Sequence, residues 1–162
     1  SAEFKNISPR GFIPVLITPN GSSIFEGLAI LNYLLETHQT DLIAPIGNPD
    51  RAQCYQWLSF LSTALGNANN RFFFPERYGS NENDIRERAE SDRKSCYDIL
   101  ENYSDPFLSG KIYGIADFYF YMFMQWDEDK MVELAKRPNL EKMYNQINQI
   151  PSIQKIIKNQ PS

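Results

Sequence analysis

Apolar residues recur at helical spacing from Pro49 almost to the end of the chain, and this pattern limits the fold more than any other feature. The first of these segments carries them at intervals of four, three and four: Cys54, Leu58, Leu61 and Leu65. Similar stripes predict further helices over residues 83–103, from Ile115, across 140–147 and after Pro151. Because each apolar stripe must be buried against a neighbouring element, the sequence predicts an all-helical domain over residues 49–162.

The first 38 residues follow a different pattern. Residues 13–18 form a short β-rich run, residues 19–22 supply a tight turn, and residues 23–25 provide the return strand of a hairpin. From Glu26 the spacing becomes helical, and this helix is expected to end near His38. Two strands and one helix do not complete a sheet domain. We therefore predict a partial sheet domain over residues 1–38 and a linker over residues 39–48.

Composition excludes several classes of protein. Hydrophobic residues make up 42% of the chain and aromatic residues 14%, which is enough for a packed core and too much for a disordered chain. The net charge is -4 without a dense run of Lys and Arg, so nucleic acid is not an expected partner. The most apolar segment, Ile115–Trp126, is too short for a membrane span, which takes about 20 residues.

The cysteines and the single histidine lie far apart in the sequence. Their spacing predicts neither a metal site nor a disulfide framework. Free, buried thiols are typical of a reducing compartment, and we expect a cytoplasmic protein.

Three short segments resemble the signatures of the glutathione transferase family. Residues 4–16, FKNISPRGFIPVL, resemble its Asn-Pro-x-Gly-x-Val-Pro-x-Leu signature, with Ser8 in the place of Asn. Residues 24–34, IFEGLAILNYL, are similar to Leu-Thr-Glu-Ser/Gly-x-Ala-Ile-x-x-Tyr-Leu. Residues 113–118, YGIADF, resemble the Thr-x-Ala-Asp motif of the second domain. The segments occur in the family's order, and residues 41–45 with the Glu-Gly pair look most like the bacterial beta class.

The resemblance implies a fold in two parts, α/β followed by all-α. Residues 1–38 would belong to a thioredoxin-like, glutathione-binding domain, and residues 49–162 would be the C-terminal helical bundle. Family members begin with a strand, a helix and a second strand that carry the catalytic Tyr, Ser or Cys, and this chain is expected to lack them. The catalytic residue of the chain is therefore unknown. The resemblance implies glutathione as a co-substrate, with no other cofactor and no metal.

Four residues are assigned to glutathione by the resemblance: Ile13, Pro14, Glu26 and Gly27. It implies a cis peptide before Pro14 that turns the backbone of Ile13 toward the cysteinyl part of the ligand, whereas the residues alone also allow a trans proline at a strand edge. It further implies that Glu26 and the amide of Gly27 hold the γ-glutamyl end. From the residues alone, Glu26 can equally well complement the helix dipole.

Asp117 lies near the start of an apolar helix. A carboxylate at this position can act as an acid–base group or accept backbone N–H bonds at the helix start, and the family uses it in the second way. Because Gly114 stands where the motif has Ser or Thr, we expect only half of a capping box. Phe73 and Trp126 are candidates for the pocket of the acceptor substrate, and packing in the core is the alternative for Phe73.

The activity implied for the parent protein is conjugation of glutathione to small electrophiles. The implied partners are glutathione, a small apolar electrophile and a second copy of the chain in a homodimer. Little activity is expected from the 162 residues themselves, because the thiol-activating segment is not among them, and whether the chain is an enzyme stays open. The alternative is a non-catalytic interaction module of the same fold, of the kind that serves in stress response or translation.

Overall fold

The computed structural model describes residues 2–38 and 40–159, and its contacts divide the chain into two compact units, Ser1–Leu42 and Ile43–Ser162. The division falls inside the predicted linker. The first residue of that linker, Gln39, lies outside the described residues, as do the last three residues of the predicted helical domain.

The first unit contains a short helix, a β-hairpin and a longer helix. Their bounds are α1 (Ala2–Ile7), β1 (Val15–Ile17), β2 (Ser23–Phe25) and α2 (Gly27–Thr37). The two strands are antiparallel, and Val15 pairs with Phe25 at the end of the hairpin that is distant from its turn. The turn is closed by Thr18, whose backbone N–H donates to the carbonyl of Ser22 at 2.9 Å.

The predicted hairpin and helix are confirmed, with two differences. β1 begins at Val15 rather than at residue 13, because Pro14 has no N–H to donate to a strand ladder. Helix α1 was not expected from the sequence pattern. A helix of six residues makes less than two turns, and it is too short to show an apolar period.

The second unit is helical, as predicted. Its elements are α3 (Pro49–Phe60), a π-helical turn (Leu61–Leu65), α4 (Gly66–Phe73), a 3₁₀ turn (Pro75–Arg77), α5 (Glu82–Glu101), α6 (Ile115–Trp126), α7 (Lys130–Ala135), α8 (Pro138–Asn148) and α9 (Pro151–Lys158). α3 begins where expected, because Pro49 occupies its first turn and the Asn48 side chain accepts from the N–H of Asp50 at 2.9 Å. Among the described residues, no helix has both the length and the hydropathy to cross a bilayer.

α6 supplies the centre of this unit. Its residues Ala116, Phe120 and Met124 are fully buried, and they recur every four positions on one face. Fully buried residues from the surrounding elements complete the core: Leu61, Leu65, Leu100, Leu108, Leu134, Leu140 and Ile147. The apolar stripes that predicted α3, α5, α6 and α8 therefore supply the core, whereas the residues of α9 are not fully buried.

The π-helical turn interrupts what the leucine spacing predicts as one continuous helix. Gly66 closes this turn, because its N–H donates to the carbonyl of Leu61, five residues earlier. A Cβ atom at Gly66 would lie 3.4 Å from the ring of Phe123 on α6. The same Cβ atom would lie 3.3 Å from the carbonyl oxygen of Leu61, so glycine leaves room within the π-helical turn itself.

Candidate functional site

The loop before β1 is held in shape by the side chain of Ser8. Its buried hydroxyl donates to the carbonyl of Phe12 at 2.7 Å and accepts from the N–H of Phe12 at 3.1 Å. Gly11 completes the loop with a φ of 71° and an N–H that donates to the carbonyl of Ser8 at 2.8 Å. The loop therefore holds Ile13 in a defined position, in which the residue is 84% exposed.

The peptide bond between Ile13 and Pro14 is cis, which confirms what the resemblance implied. Ile13 precedes β1, so its backbone groups lie outside the β1–β2 ladder. Val15 and Phe25 form the last pair of the ladder, so Pro14 directly precedes one strand and Glu26 directly follows the other at the same end of the hairpin. The hairpin thus brings both halves of the predicted glutathione site to one end of the sheet, although twelve positions separate Pro14 from Glu26 along the chain.

Glu26 joins β2 to α2 in an unusual backbone conformation. Its φ is 71° and its ψ is 123°, and among the described residues it is the one non-glycine residue with a positive φ. Such a conformation costs about 1–3 kcal/mol for a residue with a Cβ atom. It is typical of positions where the backbone is held for a purpose other than stability.

The carboxylate of Glu26 does not cap the helix that follows it. Glu26 is the N-cap residue of α2, yet its side chain makes no hydrogen bond to the first turn, and that turn contains no acidic residue. Its Oε1 lies instead 3.5 Å from Nη1 of Arg10, and both side chains are more than half exposed. The backbone amides at the start of α2 therefore have no carboxylate from Glu26 in front of them, and they favour an anion.

Asp117 is fully buried and accepts three backbone hydrogen bonds. The donors are the N–H groups of Leu108 at 2.7 Å, Ser109 at 3.2 Å and Gly114 at 2.9 Å. Burial raises the pKa of the Asp117 carboxyl, and the amide donors oppose that increase. The bond from Gly114 is the half of the capping box that a glycine allows, and the other two tie the preceding loop to α6.

Comparisons with known proteins show which family the chain belongs to. The family described as "Glutathione S-transferase, C-terminal domain" matches residues 70–160, which is more than half of the chain. The chain belongs to the glutathione transferase family.

Individual glutathione transferases resemble the chain at low identity. The glutathione S-transferase GstA of Escherichia coli O157:H7 is 22% identical over 149 residues, which cover 91% of this chain and 73% of that protein. A probable glutathione S-transferase of Nicotiana tabacum is 31% identical over 142 residues, 80% of this chain and 59% of the relative. The chain thus spans between about three fifths and three quarters of these two proteins.

Solved structures of glutathione transferases share the fold. A bacterial beta class enzyme of Sphingomonas chungbukensis superposes with a TM-score of 0.83 at 25% identity, over 96% of this chain and 77% of the other. A homologue from Sulfitobacter, solved with bound glutathione, gives a TM-score of 0.87 at 19% identity, over 98% of this chain and 78% of the other.

The two aromatic candidates for the acceptor pocket lie on different helices of the glutathione transferase bundle. Phe73, on α4, is half-buried and packs edge-on against Phe72 at 5.2 Å between ring centroids. Trp126 ends α6, packs edge-on against Phe123 at 5.4 Å, and is 54% exposed. Phe73 therefore packs within the bundle, whereas one face of the Trp126 ring is exposed to solvent.

A groove with a volume of about 660 Å³ runs between the π-helical turn, α4 and α5. Neither Phe73 nor Trp126 lines it. Apolar side chains line much of the groove, and Arg71 pairs with Asp92 across it at 2.7 Å. This groove is not predictable from the sequence, because its walls come from helices whose exposed faces have the composition of ordinary solvated surface.

A buried ion pair was also missed. Arg93 on α5 contacts Asp127 at 2.6 Å, and the hydroxyl of Tyr97 donates to the same carboxylate oxygen at 2.8 Å. Burial raises the pKa of Tyr97 well above its ordinary value, with the charge of Asp127 acting in the same direction. These contacts tie α5 to the end of α6. Because 34 positions separate Arg93 from Asp127, only the packing of the helices shows that they meet.

Proposed function

We propose that the first unit holds glutathione at the end of its hairpin, and that the parent protein conjugates glutathione to small apolar electrophiles. The observation that carries the proposal is the conformation of Glu26. Its positive φ places an exposed carboxylate beside the first turn of α2 without using that carboxylate as a cap. An acidic group and the backbone amides of the first turn of α2 lie together there, at the same end of the hairpin as Pro14.

The γ-glutamyl and cysteinyl parts of the tripeptide each have a complementary group at this end of the hairpin. The carboxylate of Glu26 accepts from the γ-glutamyl ammonium, and the amide of Gly27 donates to the neighbouring carboxylate. The backbone of Ile13, outside the ladder and before Pro14, pairs with the cysteinyl part. This arrangement positions the thiol by contacts to the γ-glutamyl end and to the cysteinyl backbone.

Thiol activation is not assigned to any of these four residues. Ile13, Pro14 and Gly27 have no ionisable side chain, and Glu26 has a carboxylate, which does not stabilise a thiolate. We propose that residues 1–162 alone turn over an aryl-halide substrate slowly.

We propose that Trp126 contacts the acceptor substrate, because the exposed face of its ring can pack against an apolar molecule. We also propose a reducing, cytoplasmic location, which the two free buried cysteines support.

The binding proposal is tested by calorimetric titration of glutathione into the wild-type chain and two variants. Glu26→Gln removes the charge that meets the ammonium, and we expect affinity to fall at least tenfold, since a hydrogen bond between charged groups contributes about 1.5–3 kcal/mol. Glu36→Gln makes the same change on the exposed far end of α2 and should alter affinity less than twofold. Equal affinities for the two variants, or no binding by the wild-type chain at millimolar glutathione, would refute the proposal.

We further propose that the chain forms a homodimer through the groove between α4 and α5. Ile99 and Tyr78 are half exposed at this groove, and burial of such side chains favours association. A second copy related by a twofold axis can set its own Arg71 and Asp92 against the same pair, so the charges are self-complementary.

The dimer is tested by light scattering coupled to gel filtration. Ile99→Asp places a charge in the groove and should shift the chain to monomer at micromolar concentration. Ile112→Asp is the matched control, because Ile112 is exposed in the loop before α6 and does not line the groove. A wild-type chain that is monomeric throughout, or a dimer that both variants leave intact, contradicts this interface.

A further inference from the structure

Arg10 lies at the proposed glutathione site, and the family resemblance gave it no role. Its Nη1 atom is 3.5 Å from Oε1 of Glu26, and its guanidinium lies 5.2 Å from the centre of the Phe12 ring. Within the described part of the chain, this is the one ion pair that either charged group makes. The loop that carries Arg10 is fixed by the hydrogen bonds of Ser8 on one side and by the hairpin on the other.

Stability does not account for the pair. The two side chains are 68% and 61% exposed, and exposed pairs of this kind contribute little to folding. The 3.5 Å separation is longer than that of a charge-assisted hydrogen bond, so the two groups stand side by side without a close contact. A guanidinium has five N–H donors in a planar fork, and one approach to Glu26 leaves most of them for another acceptor.

An α-amino-acid group carries the matching pattern of charge. Its ammonium and its carboxylate are bonded to the same carbon, so the two charges are about 3 Å apart. A carboxylate beside a guanidinium at nearly the same spacing therefore presents an anion to the ammonium and a planar donor fork to the carboxylate. Glutathione has one such group, at its γ-glutamyl end, while its glycyl end carries a carboxylate alone.

We propose that Arg10 and Glu26 together form a receptor for the zwitterionic γ-glutamyl group, in which Arg10 binds the α-carboxylate and Glu26 binds the ammonium. This inference rests on the proposed function, and it adds a specificity-determining residue to that site. Arg10 and the helix amides share the carboxylate from two sides. A ligand with a free α-amino-acid end is then selected over one in which either charge is masked.

Two ligands and two variants separate this role from the alternatives. Glutathione and its glycyl monoethyl ester share the γ-glutamyl zwitterion, but the ester lacks the glycyl carboxylate. Arg10→Gln should weaken both ligands alike, by at least tenfold in calorimetric titration, because a charged bidentate contact is lost. Lys5→Gln removes a neighbouring exposed cation of the same unit and should change either affinity less than threefold. Arg10→Lys keeps the charge without the planar fork and should recover only part of the loss.

The double variant Arg10→Gln with Glu26→Gln distinguishes direct contact from an effect through Glu26. Direct contact predicts that the Arg10 substitution weakens glutathione further in the Glu26→Gln background. No further loss would make Arg10 a residue that only positions Glu26, and this would overturn the inference.

The other outcomes are equally decisive. If Arg10→Gln weakens glutathione but leaves the affinity for the ester unchanged, Arg10 binds the glycyl carboxylate. That result would also overturn the inference. Glutathione binding that survives Arg10→Gln refutes this inference while leaving the proposed function intact. Failure of the wild-type chain to bind glutathione refutes both.

Discussion

The strained backbone at Glu26 makes a prediction in which stability and binding change in opposite directions. Glu26→Ala and Glu26→Gly both remove the carboxylate, and both remove the exposed contact with Arg10, which contributes under about 0.5 kcal/mol. Only the glycine variant relieves the positive φ of 71°. The comparison of these two variants therefore isolates the backbone term.

The size of that term follows from two opposing contributions. Relief of the conformation is worth about 2 kcal/mol, the middle of the range for such positions. Glycine costs about 0.5–1 kcal/mol relative to alanine through the greater freedom of the unfolded chain. We therefore expect the Glu26→Gly variant to be more stable than Glu26→Ala by about 1 kcal/mol, while both variants bind glutathione at least tenfold more weakly than the wild-type chain.

Amide hydrogen exchange measures this difference where it occurs. The ladder amides of β1 and β2 report the opening of the hairpin, and those of α6 serve as an internal control because α6 lies in the other unit. Equal protection of the hairpin in the two variants would show that Glu26 is not strained. Wild-type affinity in either variant would show that its carboxylate does not bind glutathione.

Further predictions concern the buried polar groups of the bundle. Asp117→Asn sets an amide NH₂ group against buried N–H donors, and it should lower the free energy of unfolding by about 2–4 kcal/mol in urea denaturation. Asp84→Asn, at the matching position of α5 but only half-buried, should cost under about 0.5 kcal/mol, and similar losses for the two would contradict the capping role. Tyr97→Phe removes a donor to a buried carboxylate and should cost about 1–2 kcal/mol, whereas Tyr103→Phe, whose hydroxyl bond is exposed, should cost less than half of that. Equal costs for the two tyrosines would show that burial does not strengthen the bond.

Periodicity predicted most of the fold, and it failed where elements are short. The apolar stripes located the long helices, because in α3, α5, α6 and α8 they supply the buried residues of the core. The two six-residue helices, α1 and α7, have fewer than two turns and carry no readable period. The π-helical turn at Leu61–Leu65 could not be predicted from the sequence, because the leucine spacing fits a continuous α-helix equally well.

Only part of the candidate site could be predicted from the sequence. The motifs named Ile13, Pro14, Glu26 and Gly27, and the hairpin signals made their proximity plausible. The backbone conformation of Glu26 was not predictable, because a positive φ is usually signalled by glycine or asparagine. Arg10 was missed because its nearness to Glu26, sixteen positions later, depends on the loop that Ser8 holds.

The binding of glutathione at the end of the hairpin is tested most directly by titrating an isotope-labelled chain with glutathione and following its amide resonances. We predict that the signals of Ile13 and Gly27 move first and furthest, and that those of the α4–α5 groove stay in place. Changes confined to the helical unit Ile43–Ser162, or no changes at millimolar glutathione, would contradict the account.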